Sequence, residues 1–249
     1  MIKNIYITIL FITQICISQN IDTNCVKSDK INPEIIINSY IQPIGGQQKI
    51  QKIQTLQKNI ETTITNSGHI KMNTTIMYKK PNLYSYRLSI PALGEVQSTK
   101  YDGVNCIIKQ NLNNKKIEEK IEGELLEQKK IEFYPFPILK IAASEKKTKL
   151  IDIEDKKDSS IYVIELIDEM DKKTQLFFDC SSNFLVMKKS IEKNKTNTIK
   201  YENYQDVKGV LFPFNETHTI EIDDKIVQEK KDKIIDIVIN KEIMISEFQ

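Results

Sequence analysis

The chain has no tryptophan, one arginine, two histidines and seven glycines, and each shortage removes a class of function. Arg87 is the only side chain able to form the planar fork that reads guanine and phosphate. With a formal net charge of only +2 over 249 residues, nothing in the electrostatics favours nucleic acid. The two histidines, His69 and His218, have no spacing that pairs them as metal ligands, and no acidic run resembles a calcium loop. So few glycines leave room for neither a phosphate-cradling loop nor a nucleophile elbow. No metal, no cofactor and no catalytic residue is expected, and the chain is not expected to be an enzyme.

Cysteine is scarce as well. Of the four, Cys16 falls in the N-terminal apolar stretch, leaving Cys25, Cys106 and Cys180. Three widely spaced cysteines are neither a disulfide framework nor a zinc pattern, and the reading is buried small side chains with room for one bridge. Long apolar runs are missing everywhere except at the start. Lys3, the apolar stretch Ile5 to Ile17, and small residues at Cys16 and Ser18 have the layout of a secretory leader cleaved before Gln19. At about thirteen residues the stretch is short for a membrane span, which needs about 20. Neither Cys16 nor Cys25 follows the small-residue box of a lipoprotein. The expectation is a signal peptide over 1–18, a flexible polar tail over 19–31, one domain over 32–249, and no stable span after cleavage.

What is abundant is alternation. The chain is 40% hydrophobic and 28% charged, enough for a real core. Asn32, Pro33 and Glu34 form a helix start, followed by Ile37, Tyr40, Ile41 and Ile44 at helical spacing and a stop at Gly45 and Gly46. A short second helix carrying Ile50 and Ile53 is expected next. From Thr55 the period becomes two, with strands expected near 55–65, 70–78, 83–90, 95–101 and 105–110. Further strands are expected near 149–154, 161–168, 174–180, 184–192, 196–204, 210–222, 225–231 and 234–239. Short polar turns separate them, including Asn66-Ser67-Gly68, Asp102-Gly103 and Asp223-Asp224.

Residues 116–132 place Ile117, Ile121, Leu125 and Gln128 on one helical face, so an amphipathic helix is expected there, its glutamates forming a solvated surface. An aromatic, proline-broken segment, Phe133-Tyr134-Pro135-Phe136-Pro137-Ile138-Leu139, follows and must be buried or bind something. His69 reads as an exposed turn residue, and His218 as a hydrogen-bonded interior histidine, since it shares the parity of Phe214, Ile220 and Ile222. The fold class expected is α+β: a single curved antiparallel sheet of about 11–12 strands, a half-open β-barrel, covered by an N-terminal helix and the mid-chain helix.

The ordered landmarks carry a resemblance. Tyr40-Ile41-Gln42-Pro43-Ile44-Gly45-Gly46 leads into Ile53-Gln54-Thr55-Leu56. Then come Tyr78-Lys79-Lys80-Pro81-Asn82, Tyr101-Asp102-Gly103, Phe177-Phe178-Asp179, Tyr204-Gln205-Asp206-Val207-Lys208-Gly209-Val210-Leu211-Phe212-Pro213, and Val238-Ile239-Asn240. From about 33 to 248 the chain resembles the LolA-like superfamily of outer membrane lipoprotein-sorting proteins. One departure is Cys106, which stands where that resemblance places an aromatic residue.

The resemblance implies a non-enzymatic protein of the Gram-negative periplasm that binds or carries a lipid, a lipoprotein acyl chain or another hydrophobic ligand. Its partners are then a hydrophobic ligand or lipidated protein. The lid or rim candidates are Leu125, Leu126, Phe133, Phe136 and Leu139. The alternative is an envelope interaction or sensor module with the same fold, binding other envelope proteins and carrying no lipid.

Overall fold

The computed structural model describes residues 31–66, 68–112, 115–142, 147–156, 159–167 and 173–249. The expected leader, and all of the expected tail but its last residue, lie outside the described residues.

The N-terminal helix forms as its sequence dictates. Helix α1 (Pro33–Ile41) has proline at its first position, and the Asn32 side chain accepts a hydrogen bond from the Glu34 N–H at 2.9 Å. That contact satisfies one of the four amide donors a helix start leaves open. The turn at Gly45 and Gly46, both at positive φ, redirects the chain into α2 (Gly46–Gln51). The buried residues of the two helices, Ile36, Ile37, Tyr40 and Ile50, and Ile44 of the turn between them lie against a sheet.

That sheet has thirteen strands, all antiparallel. The first six are β1 (Thr55–Ile64), β2 (Ile70–Lys79), β3 (Leu83–Ile90), β4 (Gly94–Tyr101), β5 (Cys106–Leu112) and β6 (Lys115–Ile121). They run outward as hairpins to one edge. After α3 (Gly123–Glu132) and α4 (Pro137–Ala142), the chain reaches the opposite edge. It returns through β7 (Lys147–Lys156), β8 (Ser159–Ile167), β9 (Lys173–Asp179) and β10 (Leu185–Glu192). The long strands β11 (Lys195–Val207), β12 (Val210–Ile222) and β13 (Lys225–Ile239) follow, and β13 closes on β1. The sheet is curved but open, with β6 and β7 as its edges, and a terminal 3₁₀ turn, Ile245–Phe248, packs Phe248 on the outer face with Met77 and Ile243.

Two differences from the sequence expectation have a physical cause. Residues 115–121 are strand rather than helix, so the expected helix over 116–132 is half hairpin partner and half α3. Ile117 and Ile121 satisfy a period of two as well as a period of four, and pairing with Gln110 and Cys106 on β5 decides between them. Gly123, at φ +60°, makes the switch into α3. The remaining helix is not amphipathic in effect: none of its residues is buried.

The expected strands 225–231 and 234–239 are one strand. Ile235 has no partner on β1, because Asn59 pairs with Asp236 and Ile60 with Ile234. This bulge inverts the side-chain parity, so that Ile234 and Ile237 both reach the core while Ile235 is exposed.

The main core lies between the helices and one face of the sheet. It joins Leu56 and Ile60 of β1, Tyr78 of β2, Ile164 and Leu166 of β8, Leu176 and Phe178 of β9, Phe212 of β12, and Ile234, Ile237 and Ile239 of β13. Each such large side chain fully buried contributes about 1.5–3 kcal/mol. Among the described residues no helix is long and apolar enough to cross a membrane.

Candidate ligand cavity and its polar wall

On the covered face the sheet is not completely filled. A cavity of about 240 Å³ lies between the sheet and the strap that joins α3 to α4, with a floor of Leu56, Ile76, Leu176, Leu185 and Phe212. The roof is the strap, Phe133 to Phe136, together with Pro137 and Ile138 at the start of α4. A second cavity of about 440 Å³ lies on the other side of the same strap, and Tyr78, Phe133 and Tyr134 border both.

Aromatic contacts hold the strap down. Phe133 stacks on Tyr84 with ring centroids 4.3 Å apart and leans on Tyr101 at 5.4 Å. Tyr134 meets Tyr78 edge-on at 5.9 Å, and Phe136 packs on Phe212 at 5.2 Å. The prolines shape this segment: Pro135 lacks the N–H that would continue α3, whereas Pro137 occupies the first position of α4, so that 137–139, expected to be irregular, are helical.

The five candidate residues named from sequence are distributed as follows. Phe133 and Phe136 are buried and line the 240 Å³ cavity. Leu139 packs on the edge of the main core. Leu126 packs beside Tyr101, Cys106, Ile121 and Phe133 in a satellite cluster, whereas Leu125 is exposed on the outside of α3. Cys106 is fully buried in that satellite cluster, and burial raises its thiol pKa.

One wall of the cavity is charged, which sequence reasoning missed. Lys58 of β1 and Glu216 of β12 border it with Nζ and Oε1 3.5 Å apart. Behind Glu216 stands His218, whose Nε2 lies 3.2 Å from Glu216 Oε2 and 3.1 Å from Asp232 Oδ2. Asp232 accepts from Thr62 Oγ1 at 2.5 Å and from Lys230 Nζ at 3.0 Å. His218 is thus hydrogen-bonded inside the fold, as its parity indicated. Its partners come from β12 and β13, and only the pairing of Glu216 with Asp232 and of His218 with Lys230 brings them together. His69, by contrast, lies exposed after the Gly68 turn.

The electrostatics of this row are internally consistent. Burial raises the pKa of Glu216, yet the Lys58 charge and the His218 hydrogen bond outweigh it and hold the carboxyl below its ordinary range. Burial likewise works against ionised Asp232, but His218, Lys230 and Thr62 together depress its pKa strongly. For His218 burial opposes the charged ring, and the bonds to Asp232 and Glu216 raise its pKa above 6.5 nonetheless.

Ligand atoms of Glu216, His218 and Asp232 lie within 4.8 Å of one another, a spacing that would suit a divalent cation. The charge balance does not. Lys58 and Lys230 already neutralise the two carboxylates, and a dication would bring two further positive charges beside two ammonium groups in a low-dielectric site. A metal does not fit these residues.

The open, curved antiparallel sheet covered by helices has the fold of solved LolA-like proteins. A LolA superfamily protein from Nitrosomonas europaea superposes with a TM-score of 0.57 at 15% identity, covering 88% of this chain and 98% of that one. A DUF1329 family protein from Desulfovibrio piger gives 0.61 at 9% identity, with 87% and 96% covered. A putative outer membrane lipoprotein-sorting protein domain from Vibrio parahaemolyticus gives 0.52 at 10%, with 85% and 97% covered. No protein-family model matches the sequence, and no curated protein matches it in sequence. The likeness is one of fold.

Proposed function

We propose that this chain is an exported, non-catalytic carrier that takes one acyl chain, or a comparable hydrophobic ligand free or on a lipidated protein, into the cavity beneath the strap. The observation that carries this reading is the strap itself. Phe133 and Tyr134 border both cavities, and the helix that leads into the strap has no buried residue. Lifting the strap would join the two spaces but draw Phe133, Phe136 and Ile138 out of buried positions, a loss that burial of a ligand's apolar chain would offset. The resting 240 Å³ cavity is below the roughly 300–1,000 Å³ of ordinary ligand sites, so a long chain enters only when the strap moves. Transfer on this reading needs no bond chemistry, only exchange between closed and open populations.

The compartment proposed is the periplasm of a Gram-negative bacterium. Cys180 is disulfide-bonded. A bridge of this kind favours an oxidising compartment, which agrees with the leader-like start of the sequence. The Vibrio parahaemolyticus domain, described as a putative sorting protein, supports the same direction by fold.

Native mass spectrometry of protein purified without detergent tests the reading. Adducts of lipid mass, lost when an apolar dye is added in excess, are expected. Protein that is always free of adducts and binds no apolar dye is not a carrier.

A further inference from the structure

The carrier reading leaves open what kind of ligand head the cavity accepts, and the charged wall bears on this. Lys58 projects into the cavity lining from β1. Its contact with Glu216, at 3.5 Å, is at the long limit for a hydrogen bond, whereas charge-assisted pairs settle near 2.7–2.9 Å. An ammonium carries three donors, so one long contact leaves Lys58 with donors directed at the space beside it. The other charged side chains on this cavity are Lys188 of β10, which has a partner of its own, and Glu132 at the end of α3, which pairs with Lys129 at 2.7 Å.

The row behind Lys58 sets the sign of the charge it favours. Lys58, Lys230 and protonated His218 face two carboxylates, Glu216 and Asp232. One positive charge is therefore in excess whenever the ring is protonated. Three side chains of the row, Lys58, Glu216 and His218, are at most 20% exposed, and Asp232 is 6% exposed. Bulk water screens such charges far less than surface ones. Beside Lys58 the floor turns apolar at once, through Leu56 and Ile76.

On these grounds we propose, building on the carrier reading, that the cavity is a site for a single-chain amphiphile with an anionic carboxylate head. The head is bound by Lys58, and the chain lies over Leu56, Ile76, Leu176, Leu185 and Phe212. The excess positive charge of the row is neutralised by the incoming head. Neutral amphiphiles of the same length fit the floor but leave that charge unmatched.

The test is displacement of the neutral dye N-phenyl-naphthylamine from the full chain by dodecanoate and by dodecanol, at a pH near 6. Dodecanoate is expected to compete about tenfold or more better than dodecanol, the scale of one charge-assisted hydrogen bond in a shielded site. Lys58→Met keeps the aliphatic stem and is expected to bring dodecanoate and dodecanol to equal competition, and Lys58→Arg is expected to restore most of the preference. Equal competition by acid and alcohol in the unmutated chain overturns the head site and leaves the carrier reading standing. So does a preference that survives Lys58→Met. Failure of the dye and both amphiphiles to bind overturns the carrier reading and the head site together.

Discussion

Phe133 lies face to face on Tyr84, their ring planes only 15° from parallel, and this pair is the main attachment of α3 to the sheet. The helix buries none of its own residues, and Leu126 packs on the same satellite cluster. Removing the Phe133 ring should therefore detach a local unit rather than unfold the sheet. For Phe133→Ala, amide exchange across 123–134 is expected to lose most of its protection, while α4, held by Phe136 and Ile138 in the main core, and β1 to β3 keep theirs. The global denaturation midpoint should fall by less than the roughly 3–5 kcal/mol typical of a core phenylalanine truncation. Uniform loss of protection across the whole sheet would show that the strap is part of the core and not a lid.

The buried row predicts a particular dependence of stability on pH. His218 has a folded pKa above its unfolded value of 6.5, so its contribution is complete below that pH and is lost as pH rises through the folded value. Glu216 and Asp232 have folded pKa values below 4.5 and 3.8, so theirs is present above those values and is lost as pH falls. Urea midpoints should accordingly be highest between about pH 4.5 and 6.5 and decline on both sides. His218→Gln should abolish the decline on the alkaline side of that window. Parallel pH profiles for the two proteins would mean that His218 does not titrate with folding.

How much of this was legible beforehand depends on the range of the interaction. The helix cap at Asn32, the hairpin turns and the alternation of β2 are local, and the sequence carries them openly. Parity breaks were not legible. Tyr201 and Tyr204 both line the cavity although they are three apart, because Asn203 between them adopts φ +57°. The bulge at Ile235 hid the unity of β13 in the same way. The charged wall was invisible for a different reason. Thr62 and Asp232 are 170 residues apart, and meet only because the first strand of the sheet pairs with the last. The aromatic strap, in contrast, declared itself through two prolines among apolar residues, a composition that only burial or a ligand can satisfy.

Asp232 should be the least replaceable member of the wall. It is 6% exposed and holds Thr62, His218 and Lys230 at once. Asp232→Asn keeps the shape but leaves Lys230 and the imidazole without their shared counter-charge, and breaking a buried pair from one side costs about 3–5 kcal/mol. Thr62→Val removes a single hydrogen bond and should cost about 1–2 kcal/mol. In the double variant the two losses should fall short of additive, since Thr62 acts through Asp232. Strict additivity in urea denaturation would show that the 2.5 Å contact contributes no coupling.

Gly45 fixes how the helical pair docks on the sheet. It sits at φ +121°, and a Cβ placed there would lie 2.5 Å from the Gly209 carbonyl oxygen and 3.2 Å from Val210 Cα. Both are backbone atoms of the β11–β12 hairpin, and the adjoining Leu211 N–H donates to Ile44 O at 3.0 Å. Gly45→Ala therefore meets two penalties, a strained backbone and a clash that no side-chain rotation relieves, and strain alone accounts for about 1–3 kcal/mol. Gly94→Ala is the matched control: φ is +75° and nothing lies within 4 Å of the added carbon, so it should cost only the left-handed term of about 1–2 kcal/mol. Denaturation should rank Gly45→Ala clearly below Gly94→Ala. The Gly45 variant should also loosen Tyr40, whose ring packs on Phe178 at 5.7 Å and whose hydroxyl pKa burial raises to about 12. Titration of Tyr40 at a lower pH in that variant than in the parent would report the loosening directly. Equal stability of the two glycine variants would instead mean that α1 and α2 can shift on the sheet without loss.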